Sequence, residues 1–116
     1  GANNNTMEER IVKESTDHEL EQLKSHGKVY QLIDVREPYE YELAEMGGEL
    51  IPLDSVVDNV ERIASDKQVI VHCRSGVRSA NAIRALEDKF GFNNLYNLKG
   101  GILAYADEVD SSLAKY

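Results

Sequence analysis

The chain has 116 residues, a formal net charge of −8 and an apolar fraction of 41%, which suits one domain with a single core. It has no apolar run near the roughly 18 residues of a membrane span, and its acidity argues against nucleic acid or an anionic membrane as a partner. Its single cysteine, Cys73, excludes an internal disulfide and a cysteine-rich zinc site, and points to a reducing, cytoplasmic setting.

Residues 1–10 are polar and aperiodic and read as a flexible linker or a remnant added for expression, with Met7 internal. No signal peptide is visible, and the chain reads as one domain cut from a longer protein. The folded part is expected at 11–110, with a polar tail at 111–116. Thr16 or Asp17 can cap a helix to about Ser25, with Leu20 and Leu23 inward and Gly27 ending it. Val29 to Val35 reads as a strand buried on both faces. Pro38 suits the first turn of a short helix, which Gly47-Gly48 breaks. Leu50 to Leu53 is extended. Asp54 or Ser55 then caps a predicted helix with Val56, Val57, Val60 and Ile63 inward. Gln68 to His72 is a second buried strand, followed by the Cys73 loop and a helix from Ser79 to about Phe90, with Gly91 as C-cap. Leu95 to Leu98 is a short strand, and Gly100-Gly101 turns into a last helix at about 102–109. Alternating strands and helices predict an α/β fold whose mostly parallel sheet carries helices on both faces. In such sheets sites lie beyond the C-terminal strand ends, where Asp34-Val35-Arg36-Glu37 and Cys73 fall.

Cys73 follows a strand and precedes a helix, in Cys73-Arg74-Ser75-Gly76-Val77-Arg78-Ser79. Free N–H groups at a helix start, the helix dipole and two guanidinium groups all favour thiolate over thiol. The loop forms a cradle of N–H donors for an anion or a charged sulfur. Gly76 permits backbone angles closed to other residues. Arg74 can face outward to bind an anionic donor, and Arg78 can fold back to shape the loop. Positive charge at Arg74, Arg78 and Arg84 makes a local basic pocket on an acidic body, suited to a small anionic substrate or an acidic chain terminus.

His72 points to the face opposite Cys73 and reads as a satisfied core histidine rather than a general base. Asp34 and Arg36 share a face at a strand end and read as supporting residues that brace the loop. Glu37, Glu40, Glu42, Glu45 and Glu49 read as a solvated acidic face, and Arg84 as an exposed helix residue. Lys99-Gly100-Gly101 reads as a turn. His18, His26 and His72 lack the mutual spacing and carboxylate partners of a metal site, so no metal and no cofactor are expected.

Three segments resemble the rhodanese family of sulfurtransferases: Leu32-Ile33-Asp34-Val35-Arg36-Glu37-Pro38-Tyr39-Glu40-Tyr41, the stretch Val69 to Ser79, and Asn97-Leu98-Lys99-Gly100-Gly101-Ile102-Leu103-Ala104-Tyr105, where tryptophan is commoner than Tyr105. Together they cover about 30–110. Many rhodaneses continue the first signature with Gly-His-Ile-Pro-Gly-Ala. The segment Ala44 to Leu53 departs from that and, with Asp107-Glu108-Val109-Asp110, is similar to rhodanese domains at the C-terminus of ubiquitin-activating-like adenylyltransferases of molybdopterin and thiamin synthesis. The resemblance implies a rhodanese fold and sulfur transfer through a persulfide on Cys73. It also implies a thiosulfate or protein-persulfide donor and, as acceptor, a ubiquitin-like sulfur carrier working with an adenylyltransferase domain. The alternatives are a non-catalytic docking or regulatory module and, disfavoured by loop length, a phosphatase or arsenate reductase. Four residues separate Cys73 from Arg78, whereas the similar phosphatase loops have five.

Overall fold

Five parallel strands form the sheet, in the spatial order Glu14–Ser15, Leu95–Leu98, Gln68–His72, Tyr30–Asp34 and Glu49–Leu50, in a computed structural model that describes residues 11–116. The linker expected at 1–10 lies outside the described residues. In chain order the elements are β1 (Glu14–Ser15), α1 (Asp17–Ser25), β2 (Tyr30–Asp34), α2 (Pro38–Leu43), β3 (Glu49–Leu50), two 3-10 segments (Leu53–Ser55 and Val57–Arg62), β4 (Gln68–His72), α3 (Val77–Phe90), β5 (Leu95–Leu98) and α4 (Gly101–Glu108). The parallel α/β fold with helices is thus as expected from the alternation of elements.

The central strands are continuous apolar runs because both their faces are covered. In β4, Val69 and Val71 join Ala82, Ile83 and Leu86 of α3 in one core, while Ile70 joins Leu20 and Tyr105 in the other. The register pairs Asp34 with His72 at the ends of β2 and β4. That alignment brings the segments after both strands to one edge of the sheet, where the Cys73 loop begins. Of the two expected caps, Thr16 rather than Asp17 caps α1, in a reciprocal pair with Glu19.

Two features differ from expectation. The short edge strand β1, only two residues long, carries no period to read. The helix expected from Asp54 or Ser55 to Ile63 is instead two 3-10 pieces with non-helical angles at Asn59, whose side-chain amide donates to the Ser55 carbonyl at 2.8 Å. Neither piece has a side-chain cap. Three valines in the segment stiffen χ1 against a regular helix, and the Asn59 side chain competes for the backbone.

Candidate functional site

Cys73 is the first residue past β4, and alternation along the strand sends its side chain into the α3 core while His72 goes to the opposite face. The loop then winds back on the sulfur. Gly76, at φ 110°, makes the turn that lets α3 start at Val77, two residues earlier than predicted. The N–H groups of Gly76 and Ser79 point at Sγ from 3.1 and 3.4 Å, and the Ser79 hydroxyl lies 3.3 Å away. Helix α4 holds the loop from outside. Ile102 and Leu103 donate their N–H groups to the carbonyls of Cys73 and Arg74 at 3.0 and 3.2 Å. This approach requires Gly101, because a β-carbon there would lie 2.4 Å from the Arg74 oxygen.

Cys73 is 1% exposed. Burial pushes the thiol up, but hydrogen bonds from the Ser79 hydroxyl and from the N–H groups of Ser79, Gly76 and Ser75 outweigh it and hold the thiol below its ordinary value. The Ser79 hydroxyl has one proton, which it donates to Asn97 Oδ1 at 2.5 Å. It can therefore turn to the sulfur only when the thiolate forms, a bond that favours the ionised state. Asn97 in turn donates to the Gly76 carbonyl at 2.9 Å and so holds the turn. Ser79→Ala should slow alkylation of Cys73 at neutral pH by about tenfold, the worth of one hydrogen bond to a charged group. The check is the pH profile of the iodoacetamide rate, whose midpoint should move up. An unmoved midpoint would remove Ser79 from the account.

A chain of charged groups surrounds the loop. Arg36 and Asp34 are fully buried and form a bidentate pair, Nε to Oδ1 at 2.9 Å and Nη2 to Oδ2 at 2.7 Å, and Nη2 also caps the Ala44 carbonyl at 2.7 Å. Arg78 makes a second fork on Glu40, at 2.7 and 2.8 Å. The Arg78 fork, working against burial, lowers the Glu40 carboxyl to about 2, with help from bonds to Tyr116 and the Glu37 N–H. Asp34 and Arg36 thus brace one another, and Arg78 folds back onto α2. Arg74 and Val77 stay exposed at the rim, Ser75 likewise.

Several expectations need correction. Glu40 is 2% exposed and belongs to this network, not to a solvated acidic face; Glu37 and Glu42 are exposed. Helix phase turns Glu40 inward, which its glutamate neighbours masked. Arg84 is half-buried rather than exposed and bonds Asn81 of its own helix at 3.3 Å. His72 is fully buried, and burial holds its pKa below the ordinary value. Its Nδ1 lies 3.4 Å from the Cys73 carbonyl, but Nε2 has no hydrogen-bond partner and stands 3.7 Å from Asp34, so it is a core histidine only partly satisfied. His18 does have carboxylate partners, Asp17 at 3.6 Å and Glu108 at 3.8 Å. Among the described residues these form the one group of three or more such side chains whose metal-ligand atoms all lie within 4.8 Å of one another. Hydrogen bonding and charge from Asp17 raise the Glu108 carboxyl, so this cluster binds a proton more tightly than isolated carboxylates do. It involves none of the Cys73 loop.

Asn97, Glu40 and Tyr116 are not among the site residues that the sequence suggests. Asn97 had a signal, as the polar residue of an otherwise apolar strand flanked by the signature Gly100-Gly101 turn. Tyr116 had none.

A family model for the rhodanese-like domain matches residues 16–108. The chain belongs to the rhodanese family. It is 35% identical over 105 residues to the probable adenylyltransferase/sulfurtransferase MoeZ of Mycobacterium tuberculosis, covering 87% of this chain and 26% of that protein. It is 34% identical over 122 residues to the adenylyltransferase and sulfurtransferase UBA4 of Vanderwaltozyma polyspora, covering 96% of this chain and 28% of that protein. The chain therefore spans about a quarter of these relatives' length. The crystal structure of a rhodanese-like domain protein from Staphylococcus aureus superposes with a TM-score of 0.76 at 31% identity, covering 84% of this chain and 95% of that one. The likeness to rhodanese domains of adenylyltransferase fusions, inferred above from Ala44 to Leu53 and Asp107 to Asp110, thus has direct support. Membership in the rhodanese family supports sulfurtransferase-type chemistry in general. Among the described residues no helix is long and apolar enough to cross a membrane.

Proposed function

We propose that this rhodanese domain is a sulfurtransferase that carries a sulfane sulfur on Cys73. The observation that carries the reading is the ring of donors around Sγ: the Gly76 and Ser79 N–H groups and the Ser79 hydroxyl, at 3.1 to 3.4 Å. The two N–H groups are preplaced, so they stabilise charge on sulfur without reorganisation, and the Ser79 hydroxyl joins them by turning from Asn97. The Cys73 thiolate attacks the outer sulfur of thiosulfate, or of a partner's persulfide. A Cys73–sulfur bond forms as the donor's S–S bond breaks, and its electron pair leaves on sulfite or on the partner's thiolate. A thiophilic acceptor then attacks the outer sulfur of the Cys73 persulfide and releases the thiolate, completing a double displacement. No cofactor enters this cycle. The exposed Arg74 suits capture of an anionic donor. The Arg78 guanidinium is committed to Glu40 by two bonds, which weighs against a phosphatase reading in which an arginine cradles phosphate.

The names of MoeZ and UBA4 pair sulfur transfer with adenylyl transfer. We infer from them that the acceptor is a ubiquitin-like sulfur carrier whose C-terminus an adenylyltransferase activates, in a route such as molybdopterin or thiamin synthesis. The direct test of sulfur transfer is intact mass after incubation with thiosulfate and then with cyanide. One added sulfur atom, removed as thiocyanate, is the expected result. If neither thiosulfate nor a cysteine desulfurase persulfide adds sulfur, the domain is a docking module.

A further inference from the structure

The tail does not trail into solvent at its last residue. The Tyr116 hydroxyl donates to Glu40 Oε2 at 2.7 Å and accepts from Arg36 Nη1 at 2.9 Å. Its ring lies over two guanidinium groups, 5.8 Å from Arg36 and 5.1 Å from Arg74, within the range of cation–π attraction. Its main-chain oxygen accepts a hydrogen bond from Arg74 Nη2. Tyr116 thus touches Arg36, Glu40 and Arg74 together, and through Glu40 it reaches Arg78. Burial is the main cause that raises the Tyr116 phenol above its ordinary value, so it stays a neutral hydroxyl able to donate to Glu40. Beside it an open cleft of about 510 Å³ runs along Arg74, Leu103, Ala104 and the Asp107–Lys115 ion pair.

We propose that Tyr116 is a specificity-determining residue at the mouth of the Cys73 loop: it occupies the Arg74 guanidinium from the tail, and an anionic reagent gains that charge only by displacing it. A tyrosine is suited to the task. Its ring and main-chain oxygen use the donors and the cationic face that an anion would use, so a ligand with formal negative charge competes with it directly. The adjoining cleft gives an incoming donor room to reach Arg74. The identity of that donor rests on the sulfurtransferase reading; the competition for Arg74 does not.

The test compares alkylation of Cys73 by iodoacetate, an anion, and by iodoacetamide, its neutral counterpart. In both reactions the thiolate displaces iodide and forms a C–S bond, and no sulfur is transferred. Cys73 is nearly inaccessible in the closed structure, so both reagents wait on the same opening, which cancels in the ratio of their rates. Tyr116→Ala should raise the iodoacetate-to-iodoacetamide ratio by about two- to fivefold, the worth of one freed surface charge. Tyr116→Phe keeps the ring and main-chain oxygen on Arg74 and should hold the ratio at the wild-type value. The thiosulfate concentration for half-maximal loading should fall in parallel in Tyr116→Ala. Tyr116→Leu serves in place of the alanine variant should thermal melts show that one unfolded. A ratio unmoved by loss of the ring, or moved equally by Tyr116→Phe, overturns the proposal. If the ratio moves as expected but thiosulfate never loads wild type, the gate stands and the thiosulfate reading falls.

Discussion

Cys73→Ser should fold as the native chain does and take up no sulfur. The hydroxyl replaces a small buried sulfur without adding volume, and it can still accept from the Gly76 and Ser79 N–H groups, so the stability cost should be on the order of 1 kcal/mol. The chemistry is another matter. The loop donors already have to offset the burial of a thiolate at a site 1% exposed. An alkoxide is far more basic than a thiolate, and the same three donors cannot bring it within reach at neutral pH. Thiosulfate loading followed by intact mass, with a thermal melt alongside, reads both halves of the expectation. Retained loading in the serine variant would mean that the sulfur resides elsewhere, although Cys73 is the only cysteine in the chain.

Glu40→Gln should be strongly destabilising for a single polar change near the site. The glutamine fills the same volume but breaks both charged bonds to Arg78 and weakens the acceptor of the Tyr116 hydroxyl. The carboxylate side chain is 3% exposed and the guanidinium 33%, so the pair is partly shielded from water, and an unpaired Arg78 can still find solvent. The expected loss at pH 7 is about 2–3 kcal/mol, at the low end for breaking a buried pair, and roughly 10 °C in melting temperature for a domain of this size. The pH dependence identifies the pair. The Glu40 carboxyl sits at about 2 in the folded chain, below its ordinary value, so its contribution is complete above the unfolded carboxylate range and is lost as pH falls toward and through about 2. The gap between wild type and Glu40→Gln, measured by urea unfolding, should therefore close in acid. A gap of the same size at pH 7 and pH 2.5 would assign the loss to packing rather than charge. Sulfur loading should slow as well, because Arg78 stands at the end of the loop whose shape Glu40 holds.

These two residues also mark how far the chain can be read without its fold. Cys73 was visible because its chemistry is local: a strand end, a glycine turn and a helix start lie within seven consecutive residues, and the N–H donors they supply are backbone groups. Glu40 was not visible, because its partner Arg78 is 38 residues away and a glutamate among glutamates reads as solvated. The 3-10 segments at Leu53–Ser55 and Val57–Arg62 show the limit on the other side. There apolar spacing suggested an α-helix, but the backbone choice was made by valine crowding and an Asn59 side-chain bond that periodicity does not register.

By itself, then, the order of residues determined the parallel α/β arrangement, the edge of the sheet at which the candidate site lies, and the strand–loop–helix segment that wraps Cys73. Each of these follows from hydrophobic period, turn chemistry and the backbone donors at a helix start, all short-range properties of the chain. Only the tertiary structure decided which charges meet. Chain crossing over the end of the sheet buried Arg36 against Asp34, committed Arg78 to Glu40, set Asn97 behind Ser79 and carried Tyr116 across to Arg36 and Arg74. Those contacts join residues up to 80 positions apart, and with no period or spacing to link them in sequence, burial and charge pairing in the folded state were what selected them.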